Sequence, residues 1–439
     1  MVRDVSSVKY GELDVGAISF DTETGLGSFE YEPRFVRTGI ELSPLKMALS
    51  ASIYSFPALD PEVFHGLPGM IADSLPDDFG NAVLAAWTAS QGRSTDDITP
   101  IERLKYIGQR GMGALTYHPA ERRKGLNASQ QVEIESLVAV AQKVLDERAD
   151  FGVQLDTHGR ADEGAMLALL SVGVSAGGAR PKAVLAFNDD FTGVRSGQVD
   201  VPEGFTHCIV KFDGVSEQSR SEETFGDPMG YGGMEYVYHL MATACGIEMM
   251  PCRLLDEGNR RHFITQRFDR VGNRKRHVQT LNALAHVSYK RAGSFSYAEL
   301  FATARELGLE AEDAMQLFRR MVFNIVARNH DDHSKNVSFM LDEDGSWRLA
   351  PAYDLAYSYK PGSPWVASHW MTLNGKRDDF TRADFYTLQR LSPLFTKRRI
   401  DEVIDETAEQ VSRWDVLAAE HGVPSELRET VSRNLRLAI

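Results

Sequence analysis

His330-Asp331-Asp332-His333-Ser334-Lys335-Asn336, HDDHSKN in one-letter form, is the stretch from which the rest of this chain is read. It follows EDAMQLFRRMVFNIVARN (312–329), where Ala314, Leu317, Phe318, Met321, Val322, Ile325 and Val326 recur at helical spacing. That stripe predicts a long buried helix ending at the motif. Phosphoryl transfer asks little covalent chemistry of a protein; it needs an acceptor hydroxyl held in line, metal on the phosphates and a dry positive cradle. An Asp that receives or orients the hydroxyl proton, followed five residues on by a metal-binding Asn, is one such pattern, and Asp331 to Asn336 has that spacing. Beyond it, VSFML (337–341) and WRLAP (347–351) predict a short hairpin about Asp342–Gly345. The hairpin would bring Asp354 of PAYDL back as a second oxygen ligand suited to magnesium. His333 and Lys335 are placed with the nucleotide, although His333 could simply cap the loop; Asp332 receives no role. Taken alone, DxxxxN marks a turn more often than a site. The letters H-D-D-H could also form a phosphohydrolase metal cluster, but the partner His–Asp groups are not apparent.

Upstream, SVGVSAGGARPK (171–182) has the glycines that let backbone N–H groups approach phosphate oxygens, with Lys182 at its end. It lacks the GxxxxGK[ST] of a P-loop, and such a stretch is by itself more often a hairpin turn. Lys211 lies on an apolar strand, CIVKF (208–212), where a lysine is costly unless paired. Glu235, opening the next helix, is its expected partner; snorkelling from an edge strand is the rival reading. Each element is weak alone. The order of Gly-rich loop, strand Lys, helix Glu, further strands, Asp-x4-Asn, hairpin and Asp is the informative feature.

Around this core the 439 residues suggest two or three lobes. Strands are predicted at 17–21 and 28–32, then a stretch punctuated by Pro68, Pro76 and Asp78, a linker at 120–131 and a helix over 132–150. The segment MEYVYHLMATACG predicts a helix with Val237, Leu240, Met241 and Ala244 on one face and Gly246 as stop. Strands follow at 252–256 and 262–268, and the last third reads as helical. The polar segment 213–234 reads as a disordered loop. The boundaries are set at 1–120 for an N-terminal mixed α/β subdomain, 121–270 for a β-rich lobe and 271–439 for a helical lobe. This is an α+β, bilobal protein-kinase-like fold. A net charge of −14 argues against direct binding of nucleic acid. The N-terminus lacks a signal-peptide pattern, and no run of ~18 apolar residues suggests a membrane span. Cys208, Cys245 and Cys252 form no CxxC pair, which fits a reducing cytoplasm.

These residues resemble the HipA family of bacterial serine/threonine kinases, the toxin half of toxin–antitoxin pairs. FEYEP, GLPGMIADSLPDDFG and GQRGMGAL resemble its N-terminal subdomain, and SAGGARPK, IVKF, QRFDR, DDHSKN and YDL resemble its kinase core. The resemblance implies Asp331 as catalytic aspartate, Asn336 and Asp354 as magnesium ligands, and Lys211 as the lysine on the ATP phosphates. It implies Gly177, Gly178, Ala179 and Lys182 as the nucleotide loop, and Gln266, Arg267 and Phe268 as the strand whose backbone meets adenine. Ser175 matches the serine whose autophosphorylation expels the loop and shuts the enzyme off, as a doubly charged group in a phosphate cradle should. A dimeric helix-turn-helix antitoxin (HipB-like) is the implied partner, through which DNA is reached only indirectly, and an aminoacyl-tRNA synthetase is the implied substrate. The chain departs from the family in AGGARPK, where VAGAQ-x-K is frequent, in Gln266 for Glu, and in Asp332 where Gly is common. Two other classes stay open: a small-molecule kinase of the antibiotic or sugar kinase type, and a nucleotide-binding pseudokinase acting as co-repressor.

Overall fold

A computed structural model describes residues 4–90, 92–94, 98–120, 129–146, 180–216 and 226–439. The chain divides into two compact units. The first holds residues 1–40, 49–232 and 252–277, and the second holds 41–48, 233–251 and 278–439.

Among the described residues the first unit contains two larger antiparallel sheets and two short two-stranded ones. In the N-terminal sheet the order is Leu26–Tyr31, Leu13–Asp21, Asp4–Tyr10, Leu115–His118. Alternate residues turn inward, so Val15, Ile18, Phe29 and Tyr31 are buried while their neighbours are more exposed. Gly16 is needed where two strands cross closely, since a Cβ there would lie 2.1 Å from the Glu30 carbonyl. Two helices the sequence reading left unassigned, Asp78–Ser90 and Pro100–Ile107, supply Phe79, Val83, Trp87, Ile101 and Leu104 to the same core. The second of them is announced by its cap: Thr99 accepts from the Glu102 N–H, with Pro100 at the first helical position.

The second sheet is five-stranded, in the order Cys252–Glu257, Arg260–Gln266, Phe205–Lys211, Lys182–Asn188, Val194–Ser196. Lys182–Asn188 is covered on both faces and reads as a nearly unbroken buried run, KAVLAF. The helix expected over 132–150 is present as Ile134–Asp146.

The second unit is mainly helical. Ala311–Val326 is its spine, with Phe318, Met321, Val322 and Ile325 fully buried beside Ile400, Val403 and Ile404 of the helix Lys397–Val411. Each such apolar side chain contributes about 1.5–3 kcal/mol on burial. Tyr297–Glu306 begins with a reciprocal cap between Ser296 and Glu299. The hairpin Ser338–Leu341 with Trp347–Leu349 forms as expected and joins His277–Thr280 in a three-stranded sheet.

Two expectations are corrected. The segment 213–234 is not wholly loop: Gly226–Asp227 pairs with Val215–Ser216, and a helix starts at Tyr231 and runs to Ala244. Asp213 organises this start, its buried carboxylate accepting from the N–H groups of Gly230, Gly232 and Arg261. The buried face of that helix is Met234, Val237, Tyr238, Met241 and Ala242, with Ala244 exposed. The expected face of Val237, Leu240, Met241 and Ala244 is therefore only half buried, and Tyr238 joins it fully buried, its hydroxyl donating to the Ala327 carbonyl at 2.6 Å. Gly246 ends the helix in a left-handed turn, as expected.

Candidate functional site

In the first unit, strand register decides where the predicted lysines stand. Lys182 lies directly opposite Lys211 across antiparallel strands, and Lys211 lies opposite Phe263 on the other side. Directly opposed residues share a face. Two lysines, both buried, therefore stand on one face of the sheet, and the Lys211 Nζ sits 5.8 Å from the Phe263 ring centre. Glu235 is buried in the first turns of the Tyr231–Ala244 helix. Ser175, Gly177, Gly178 and Ala179 lie outside the described residues.

Gln266 ends its strand opposite Cys208. Arg267 follows with its N–H donated to the His207 carbonyl at 2.9 Å. Its guanidinium turns inward and grips Asp269 through both ends, Nε to Oδ1 at 2.8 Å and Nη2 to Oδ2 at 2.7 Å. Arg270 and the Gly113 N–H reach the same carboxylate. The Arg267 side chain is thus committed to the interior of the first unit, and Phe268 lies between Arg267 and Asp269.

In the second unit, the spine helix stops because Ala327 and Arg328 turn out of it, Arg328 in the left-handed region. The chain then crosses 329–336. The Asn336 side-chain N–H donates to the Asp331 carbonyl at 2.8 Å, and its backbone N–H donates to the His333 carbonyl at 3.0 Å. This closes a tight turn and leaves Asn336 Oδ1 without a hydrogen bond among the described residues. The Asp331 carboxylate is 42% exposed, with His333 Nε2 3.6 Å away. The His333 ring lies tilted against Tyr289 with centres 5.5 Å apart, and Lys335 Nζ sits 4.8 Å over the Tyr289 ring.

Asp354 is tied to the same turn by its neighbour: the Tyr353 hydroxyl donates to the Lys335 carbonyl at 2.6 Å and lies 2.5 Å from the Ser338 hydroxyl. Asp354 itself takes a left-handed backbone, φ 53°, a conformation Asp tolerates better than most residues. Oxygen donors from Asn336 and Asp354 are hard ligands, which suits magnesium, an ion that keeps several waters. Among the described residues no group of three or more His, Cys, Asp or Glu is placed to hold a metal ion.

Asp332, given no role from sequence, is buried and accepts three hydrogen bonds: from the Tyr297 hydroxyl at 2.6 Å, His369 Nδ1 at 3.0 Å and the Trp370 N–H at 2.7 Å. Burial pushes its carboxyl up, but His369 and these donors outweigh it and hold the group below the usual range. His369 packs on His330 with ring centres 4.1 Å apart; burial, with His369 and Arg328 beside it, pushes His330 down to about 3. Nothing in the sequence near 330 points to Tyr297 or His369. Only the doubled Asp offers a signal, and it is ambiguous.

Fold and site together define a mixed α/β chain with a lysine-bearing sheet in one unit and an Asp/Asn loop at the end of a buried helix in the other. The HipA N-terminal domain matches residues 6–118, and the HipA-like C-terminal domain matches residues 174–414. The chain belongs to the HipA family. A protein of Sinorhizobium fredii named "Putative kinase Y4mE" is 28% identical over 192 residues, which make up 39% of this chain and 44% of that protein. The match thus spans less than half of that relative's length. A chain from the Shewanella oneidensis MR-1 toxin–antitoxin complex of HipA, HipB and operator DNA superposes with a TM-score of 0.64. It is 16% identical, with 98% of this chain and 94% of that one covered. At that identity the likeness is one of fold. Among the described residues no helix is long and apolar enough to cross a membrane.

Proposed function

We propose that this chain is an ATP- and magnesium-dependent protein serine/threonine kinase with a bilobal kinase-like fold, acting as the toxin of a toxin–antitoxin pair in the cytoplasm. The observation that carries the reading is the 331–336 turn, where an exposed Asp331 carboxylate stands on a loop whose Asn336 amide is pinned through its N–H to the Asp331 carbonyl. The paired lysines of the five-stranded sheet support it, since two cations on one face favour phosphate oxygens.

Asp331 orients the acceptor hydroxyl and takes its proton as the serine oxygen bonds to the γ-phosphorus and the bond to the ADP oxygen breaks. Asn336 and Asp354 would hold magnesium, which when bound would neutralise charge on the phosphate oxygens. Lys182 and Lys211 hold phosphates, with Glu235 assigned to orient Lys211. Gly177, Gly178 and Ala179 cover the phosphates, and Gln266, Arg267 and Phe268 present backbone to the base. Of Arg267, whose N–H is spent on His207, the carbonyl remains for that role. His333 and Lys335 complete the nucleotide contacts. Ser175 is the autophosphorylation site, a helix-turn-helix antitoxin is the partner, and an aminoacyl-tRNA synthetase is the substrate. The Shewanella complex supports the partner by analogy of fold.

The test is incubation with magnesium and ATP followed by phosphosite mapping, beside Asp331→Asn. Phosphate on Ser175 in the wild type and none in the variant is expected. Equal phosphate in both would sink the assignment of Asp331.

A further inference from the structure

Asp331 and Asp332 are adjacent and have opposite fates: one carboxylate is 42% exposed, and the next is 1% exposed inside the second unit. The inward residue decides where the outward one can stand. Three donors from two places in the chain converge on Asp332: Tyr297 at the start of the Tyr297–Glu306 helix, and the adjacent His369 ring and Trp370 backbone N–H. The Tyr297 hydroxyl also receives from Asn324 of the spine helix, and Asn324 in turn accepts from Asn329, just ahead of the motif. The His369 Nε2 is buried without a hydrogen bond among the described residues. The His369 ring is held by Asp332 through Nδ1, with a tilted contact to His330 and an edge contact to Phe380. On the segment Trp370 belongs to, Trp365 is half exposed and lies parallel to the Trp370 ring at 6.0 Å.

We infer that Asp332 is a positioning residue for phosphoryl transfer, locking the catalytic loop to the 365–370 segment so that Asp331 is held at the height an acceptor hydroxyl requires. This deepens the kinase reading and rests on it. An asparagine cannot substitute. Its single oxygen can serve one side of the group, and its NH₂ then faces either the Trp370 N–H or the Tyr297 and His369 donors. At least one donor is left unpaired in the interior, and the loop must shift to relieve it. A misplacement of about 1 Å at a reacting group costs on the order of 10²-fold in rate.

The experiment uses the full chain as wild type, Asp332→Asn, Tyr297→Phe and Asp331→Asn, with magnesium ATP as the probe. Transfer to the chain's own serines at saturating ATP is read beside ATP affinity by calorimetry and thermal melting. For Asp332→Asn the expected result is a turnover loss on the order of 10²-fold with ATP affinity changed less than about threefold. Tyr297→Phe removes only one hydroxyl and is the variant that must stay folded. It is expected to lose turnover by a smaller factor with the same unchanged affinity, and to add nothing when combined with Asp331→Asn. A lower melting temperature with turnover per folded molecule unchanged in both variants overturns the positioning role and leaves the kinase reading intact. Equal transfer by wild type and Asp331→Asn overturns the kinase reading instead, and this inference with it.

Discussion

Asp269→Asn is expected to weaken the first unit more than any other single-atom exchange in it. The Asp269 carboxylate is 1% exposed, and the side chains facing it, Arg267 and Arg270, are 0% and 4% exposed. Arg267 binds both oxygens, Arg270 Nη1 reaches Oδ2 at 2.6 Å, and the Gly113 N–H donates to Oδ2 at 2.8 Å. Arg270 also donates to the carbonyls of Gly111 at 3.0 Å and Gly113 at 3.3 Å. The group therefore ties the QRFDR segment to the GQRGMGAL segment. Burial pushes the carboxyl up, yet the two guanidinia and the Gly113 N–H hold it far below the usual range. The native value lies below the unfolded one, so the stabilisation is complete above about pH 4 and is lost only as pH falls towards the native value. Replacing the carboxylate by an amide leaves two buried cations facing each other without the counter-charge between them, with only Asp200 acting on Arg270 besides, a change worth about 3–5 kcal/mol. Urea unfolding at pH 7 measures it, with hydrogen exchange at the Gly113 amide reporting the local opening. The gap between variant and wild type should narrow below about pH 4. A loss under about 1 kcal/mol, with Gly113 still protected, would refute the argument that the charge holds these segments together.

Gly232→Ala should cost at least about 1–3 kcal/mol in thermal or urea unfolding, because a Cβ there would lie 1.9 Å from the Arg261 carbonyl oxygen and backbone must move to admit it. In the second unit, Asp384 is buried and accepts from Asn374, Lys376 and Thr381; burial raises its carboxyl, but these bonds outweigh it and bring it to about 2. Its contribution, about 2 kcal/mol at neutral pH, should persist down to about pH 4 and fade towards pH 2, and Asp384→Asn should flatten that part of the acid-unfolding curve.

How much of this was legible in the sequence depends on the range of the interaction that fixes each feature. The spine helix, the hairpin and the central strands are set by local periodicity, and they stand where the spacing of apolar residues puts them. The Asp78–Ser90 helix was obscured by the prolines ahead of it, although Pro68 itself caps the short helix Gly69–Ala72. The segment before Glu235 was misjudged because its glycines suggest flexibility, whereas Gly232 is there to let the helix start pass within contact of the Arg261 carbonyl. Arg267 could be read by analogy as a residue beside a bound base. Its partner Asp269 is only two positions away, yet nothing in QRFDR says that the side chain points inward.

The same contrast governs the site. Lys182 and Lys211 were each ambiguous alone: one closes a glycine-rich stretch, and the other could have snorkelled from an edge strand. Lys211 is instead on the central strand of five, so it cannot reach water by leaning over an edge, and register places Lys182 directly across from it. Like charges placed so are mutually unfavourable, and a fold keeps such a pair where negative charge shares the face. Register is a property of two strands together, and no inspection of one strand's letters contains it.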